Sequence, residues 1–189
     1  MNLFLEISAV TLSLIYLALL MKENIACWFF GITASFISIY LFYSIGLYSE
    51  ALLYIYYVII GVYGYWLWNK TRENETLAVT TVTLENHVLI VFVGIILSFT
   101  LGYIFDNNTD AVNPYLDSTT TIFSFIASLL EAKKILSSWI FWLFINAATV
   151  VLYVQQELTY YLFLTIVYFI FSGIGFAKWR RSYRLAKTQ

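Results

Sequence analysis

The chain is poor in the residues from which most chemical sites are built. It has one cysteine, one proline and one histidine among 189 residues, and only 11% of its residues are charged. The single cysteine, Cys27, excludes an internal disulfide and any multi-cysteine metal site. It reads as a small apolar helix residue. With His87 alone, no histidine cluster exists to hold a metal or relay protons, so neither metal nor cofactor is expected. No glycine-rich phosphate loop is present, and no nucleophile–base pair suggests an intramembrane enzyme. No nucleic-acid partner is expected. A seven-helix retinal protein would need a lysine in the middle of its last span, and Lys178 lies at the span's end.

What the chain has instead is apolar length. It is 61% hydrophobic and 20% aromatic, far from the composition of a soluble domain. Seven runs stand out, at 3–20, 26–45, 50–68, 88–105, 119–130, 139–154 and 158–176. A helix needs about 20 residues to cross a hydrocarbon core of roughly 30 Å. Seven spans with short loops leave no room for a soluble domain. The first run has no basic start, carries Glu6 and lacks an A-x-A-like exit, so it reads as a span and not as a cleaved signal.

Charge supports the odd number. Connections after the odd spans hold Lys22, Lys70, Arg72, Lys133, Lys134, Lys178, Arg180, Arg181, Arg184 and Lys187, which are all ten basic residues. The connections at 46–49, 106–118 and 155–157 contain none. Lys and Arg collect in cytoplasmic loops. The expected topology is a bilayer-embedded protein with its N-terminus outside and its C-terminus in the cytoplasm. Glu50, Asp106, Asp110, Asp117 and Glu157 make the outer side acidic, which would concentrate a cation there.

The chain also repeats itself. A shift of 111 residues aligns Trp28 with Trp139, Tyr57 with Tyr168, Gly64 with Gly175 and Trp68 with Trp179, with ten identities over the 41 positions 28–68. Lys22 against Lys133 extends the register into the preceding turn. Three helices form each unit, and the fourth span is a connector that restores the starting side for the second copy. The expected fold is therefore all-α, with seven transmembrane helices in a 3+1+3 arrangement of parallel repeats. The segments are 1–70 for the first repeat, 71–112 for the loop and connector, and 113–189 for the second repeat with a basic tail. Transporters are built this way, with substrate near the midplane.

Polar atoms at membrane depth usually face a cavity or the bundle interior. In the fifth span Asp117, Thr121, Ser124, Ser128 and Glu131 recur at spacings of four, three, four and three, which makes one helix stripe. As a set they suggest a wet cavity; singly, a Ser or Thr here can simply bond its own backbone. Asp117, soon after Pro114, can alternatively cap its helix. In the sixth span Trp142 and Asn146 lie one turn apart on one face. Together they suit a flat heteroaromatic bearing an amide, although an Asn can also join helices. Their repeat counterparts, Gly31 and Ser35, are smaller, so one half is expected to supply contacts and the other room. Trp28, Trp68, Trp139 and Trp179 lie near span ends and read as an interfacial belt.

With these residues in hand the chain resembles the PnuC family of bacterial vitamin transporters over nearly its whole length. The resemblance is carried by Leu47-Tyr-Ser-Glu-Ala, the stretch from Tyr57 to Trp68, Asn113-Pro-Tyr-Leu-Asp-Ser-Thr-Thr-Thr, Trp142-x-x-x-Asn146 and Trp179-Arg-Arg-Ser. It implies a homotrimer with a fold related to SWEET sugar carriers. The implied activity is facilitated diffusion of nicotinamide riboside across the inner membrane, drawn inward by intracellular phosphorylation. Trp142 and Asn146 would hold the nicotinamide. Thr121, Ser124, Ser128, Tyr54, Tyr57 and Ser35 would complete the site, with Glu50 and Asp117 at its entrance. Carriers of nicotinamide riboside in the family usually have glutamine where this chain has Tyr54 and Ser128, which keeps thiamine and riboflavin as alternatives. A SWEET-like sugar carrier and a non-transporting membrane subunit are the alternatives from other classes.

Overall fold

Helices that are apolar on every side must be buried or must face lipid, and helices are what these runs form. The computed structural model describes residues 3–44, 48–72, 77–108, 113–155 and 159–187. Seven helices are present among them: α1 (Leu3–Leu20), α2 (Ala26–Ser44), α3 (Tyr48–Arg72), α4 (Leu84–Asn108), α5 (Pro114–Ala132), α6 (Ser138–Gln155) and α7 (Thr159–Ala186). Among the described residues, four stretches are long and apolar enough to cross a membrane: Ala26–Ser44, Ala51–Lys70, Leu84–Asn108 and Leu162–Ala186. The apolar parts of α1 and α6 are shorter, and α5 spends much of its length on Ser, Thr and acidic residues. Large side chains such as Phe29, Phe92, Phe144 and Phe163 point outward, as lipid-facing residues do.

Two compact units result, Met1–Ala78 and Val79–Gln189. In the first, α2 packs against both α1 and α3. In the second, α5 packs against α4 and α6, and α7 packs against α6. The fourth helix is thus part of the second unit. α7 continues through Ala186, well beyond the expected span end at 176, because nothing from Ala177 to Ala186 breaks a helix. Lys178, Arg180, Arg181 and Arg184 therefore lie on the helix, with Lys187 just beyond its end.

The repeat is visible inside each unit. The turn after α1 places Glu23 at φ 55°, and the turn after α5 places Lys134, 111 residues later, at φ 50°. In the first turn the Glu23 N–H bonds Leu20 O at 2.9 Å, and the Asn24 N–H bonds Leu19 O at 3.0 Å. In the second, Lys134 N–H bonds Glu131 O at 2.9 Å, and Ile135 N–H bonds Leu130 O at 2.9 Å. This paired closure with one left-handed residue ends a helix by satisfying its last carbonyls.

The four repeat tryptophans are not an interfacial belt. Trp28 and Trp68 are 2% and 5% exposed, and Trp139 and Trp179 are fully buried. Each pair meets edge to face, with centroids 5.4 Å apart in both units and planes at 84° and 87°. Trp28 lies against Gly64 and Trp139 against Gly175, where an added Cβ would meet the ring at 2.4 Å in either case. The glycine is needed because the indole occupies the volume of a side chain. A position near the end of a span looks the same for a belt residue and a core residue; the buried glycine one helix away distinguishes them.

One connection does more than link. The segment before α4 docks on the α5–α6 turn at Thr80, where Thr80 N–H bonds Lys134 O at 3.0 Å and Leu136 N–H bonds Thr80 O at 2.8 Å. Thr80 and Ile135 form a single parallel bridge, and Val79 is buried beneath it.

Candidate functional site

α5 begins at Asn113, with Pro114 at its first position, where the missing N–H costs nothing. Asp117 therefore lies one turn inside the helix and is not its cap. Its backbone N–H bonds Asn113 O at 3.0 Å. Along the stripe, Asp117 and Thr121 are half-buried, while Ser124, Ser128 and Glu131 are buried. Several hydroxyls are used within the helix. Ser128 Oγ donates to Ser124 O at 2.7 Å, Thr119 Oγ1 to Tyr115 O at 2.6 Å and Thr120 Oγ1 to Asp117 O at 2.8 Å. Ser128 is self-satisfied and supplies no donor to a ligand in this arrangement.

The polar atoms that link helices lie at the other end of the stripe. Glu131, 3% exposed, accepts the Trp142 indole N–H at Oε2 over 2.7 Å, joining α5 to α6. One turn further along α6, Asn146 Nδ2 donates to Ser172 Oγ on α7 at 3.2 Å. Ser172 in turn donates to Tyr168 O at 2.8 Å. Asn146 makes this one side-chain hydrogen bond among the described residues, which leaves its carbonyl oxygen uncommitted. Among the described residues Trp142 has no aromatic ring partner, and its half-buried indole is fixed through its N–H. Phe123 and Phe141 stack beside this junction, centroids 6.0 Å apart. The structure thus gathers Trp142 with Glu131 and Asn146 with Ser172, two hydrogen-bonded pairs one turn of α6 apart that tie α6 to α5 and to α7.

The remaining sequence candidates lie in the first unit. Tyr54 stacks on Phe42 at 5.3 Å and 14°, and meets Tyr57 edge-on at 5.6 Å. Ser35 is buried, and its Oγ donates to Gly31 O at 2.8 Å within α2. Glu50 falls in the first turn of α3, and its side chain lies outside the described residues. The expectation that Gly31 leaves room is corrected. The Tyr16 ring rests on it, with Cδ2 2.8 Å from where a Cβ would stand. At the position equivalent to Tyr16 the second unit has Ala127, fully buried. The large ring thus comes from α1 in one unit and, as Trp142, from α6 in the other.

Ser172 was not anticipated, and Glu131 was noted only as one end of the stripe. The repeat held the signal for both. Leu20, Gly31, Ser35 and Gly61 in the first unit correspond to Glu131, Trp142, Asn146 and Ser172 in the second. At all four positions the second copy is larger or more polar, and those residues bond each other in pairs.

Span-length apolar helices in two related units, with a buried polar set in one of them, define a multi-pass membrane transporter. Comparison with known proteins agrees. Residues 3–181 match the family described as nicotinamide mononucleotide transporter, and the chain belongs to that family, one of transporters and not of enzymes. It is similar to the nicotinamide riboside transporter PnuC of Escherichia coli, 24% identical over 171 residues, covering 76% of this chain and 71% of that protein. It is similar also to the nicotinamide riboside transporter PnuC of Neisseria mucosa, 24% identical over 174 residues, covering 85% of this chain and 65% of that one. In fold it matches the crystal structure of the vitamin B3 transporter PnuC with a TM-score of 0.80 at 21% identity, over 97% of this chain and 83% of that chain.

Proposed function

We propose that this chain carries nicotinamide riboside across the bacterial inner membrane by facilitated diffusion, with the nicotinamide ring held at Trp142 and Asn146. The observation that carries the reading is an indole anchored through its N–H and without an aromatic ring partner among the described residues, one turn from an amide whose carbonyl oxygen accepts no hydrogen bond from them. A flat pyridinium can stack on the first, gaining about 0.5–1.5 kcal/mol beyond its buried area. The carboxamide N–H of nicotinamide can donate to the second. Two relatives named nicotinamide riboside transporter support the same substrate.

In this reading Thr121, Ser124 and Ser128 border the path with Asp117 toward the outer side, and Tyr54, Tyr57, Ser35 and Glu50 are the candidate residues of the first repeat. The working arrangement is 3+1+3 and SWEET-like, with segments 1–70, 71–112 and 113–189. The unit is a homotrimer, oriented with its N-terminus outside. Transport is uniport. Phosphorylation of the substrate inside the cell draws net uptake, and an inside-negative potential favours a cation by about 2.3 kcal/mol per 100 mV.

A second reading, thiamine, is favoured by one observation. Tyr54 is stacked on Phe42 and the Ser128 hydroxyl is spent on its own helix, so neither replaces the amide of the glutamine usual in nicotinamide riboside carriers. Thiamine also presents a flat cationic ring. Calorimetric titration of the purified protein with both compounds separates the two. Saturable heat with nicotinamide riboside and none with thiamine supports the first reading; the reverse replaces it.

A further inference from the structure

We infer that Glu131 is a positioning residue of the binding site, whose buried carboxylate holds the Trp142 indole by its N–H and so presents the ring face to substrate. The inference rests on the proposed role of Trp142 as the stacking residue. A carboxyl group that is 3% exposed is costly to bury, and the indole N–H of Trp142 is one partner that offsets the cost. The equivalent position in the first unit is Leu20, fully buried at the same point of the same helix-ending turn, which closes with the same pair of backbone hydrogen bonds. The backbone closure of the turn therefore does not itself require an acid at this position.

The acid coincides with the appearance of its partner. Where Glu131 is Leu20, Trp142 is Gly31, and the two residues that differ in the second unit are bonded to each other at 2.7 Å. A 2.7 Å hydrogen bond is directional, so it restricts rotation of the indole about its side-chain torsions. An indole without that bond can turn edge-on and lose its stacking face. Asn146, one turn away, is oriented in the same manner by Ser172, which replaces Gly61 of the first unit. Each substrate-facing residue thus has its own anchor on a neighbouring helix.

The test uses Glu131→Leu, which restores the residue of the other repeat, and Glu131→Gln, which keeps an oxygen acceptor but no charge. Protein labelled with fluorotryptophan is examined by fluorine NMR, the Trp142 resonance being assigned with Trp142→Phe, and each variant is titrated with nicotinamide riboside. Glu131→Leu is expected to fold with a lowered melting temperature, to shift the Trp142 resonance without ligand, and to bind about tenfold more weakly. Glu131→Gln should keep the resonance in place and bind within about threefold of wild type, since only the acceptor matters. Wild-type affinity with an unmoved resonance in Glu131→Leu overturns the inference. So does a Glu131→Gln as weak as Glu131→Leu, which would make charge the operative property. Trp142→Phe keeps a ring but deletes the donor; wild-type affinity in that variant overturns the inference even where Glu131→Leu does not fold. If the wild-type protein binds no nicotinamide riboside, the proposed function fails, while the resonance in ligand-free protein still decides whether Glu131 places the indole.

Discussion

Gly175→Ala should destabilise the protein, while Gly173→Ala, two residues earlier in the same helix, should not. Both glycines are inside α7, and alanine is intrinsically favoured over glycine in a helix by about 0.5–1 kcal/mol. At Gly173 an added methyl meets nothing within 4 Å, so that gain is retained in full. At Gly175 the same methyl would stand 2.4, 2.5 and 2.6 Å from Trp139 Cζ3, Cη2 and Cε3. Trp139 cannot simply step aside, because it is fully buried and fixed edge-on against Trp179. Overpacking of a rigid core costs typically about 1–3 kcal/mol, which exceeds the propensity gain. Gly64→Ala should behave like Gly175→Ala, since the Trp28 ring lies at the same 2.4 Å. Thermal unfolding of purified protein in detergent, followed by intrinsic fluorescence, compares the three variants. A Gly175→Ala variant as stable as Gly173→Ala would refute a packed tryptophan core and return these residues to the membrane interface.

The other predictions concern topology, coupling and the outer mouth. Asn108→Cys, in the exposed last turn of α4, should react with an impermeant thiol reagent on intact cells; labelling only after permeabilisation would invert the topology. An imposed proton or sodium gradient should not alter the final internal level of nicotinamide riboside in proteoliposomes, and accumulation beyond equality would rule out uniport. Glu50→Gln should transport like wild type at low salt if the acid only complements the helix N-terminus, a contribution of roughly 0.3–1 kcal/mol. Slower uptake that recovers as salt shortens the Debye length, about 10 Å at 0.1 M, would instead assign Glu50 to steering a cation.

Much of the helical layout was legible because apolar runs follow directly from the solvent. The duplication was legible because Trp28, Gly64 and Trp68 recur at one spacing as Trp139, Gly175 and Trp179, and the structure gives the reason: the glycine makes space for the indole in each copy. Periodicity could not tell that these tryptophans face inward, since a span end has both a lipid side and a core side. It could not tell that Gly31 is covered, because the covering Tyr16 comes from another helix. Ser128 and Ser172 look alike in sequence, yet one hydroxyl stays within its helix and the other also accepts from Asn146. The docking of Thr80 on the α5–α6 turn has no periodic signature, being made by backbone atoms alone.

Flux of labelled nicotinamide riboside into proteoliposomes, wild type beside Trp142→Ala and Asn146→Ala, tests the account most directly. Leaving a buried hydrogen-bonding group unsatisfied costs about 1–3 kcal/mol, so either truncation should suppress saturable flux while the protein remains folded. Wild-type protein should carry the compound at a saturable rate until inside and outside concentrations are equal, and both variants should fall toward the rate of protein-free vesicles. Wild-type flux in two folded variants would contradict the site; no flux in wild-type protein would contradict the substrate.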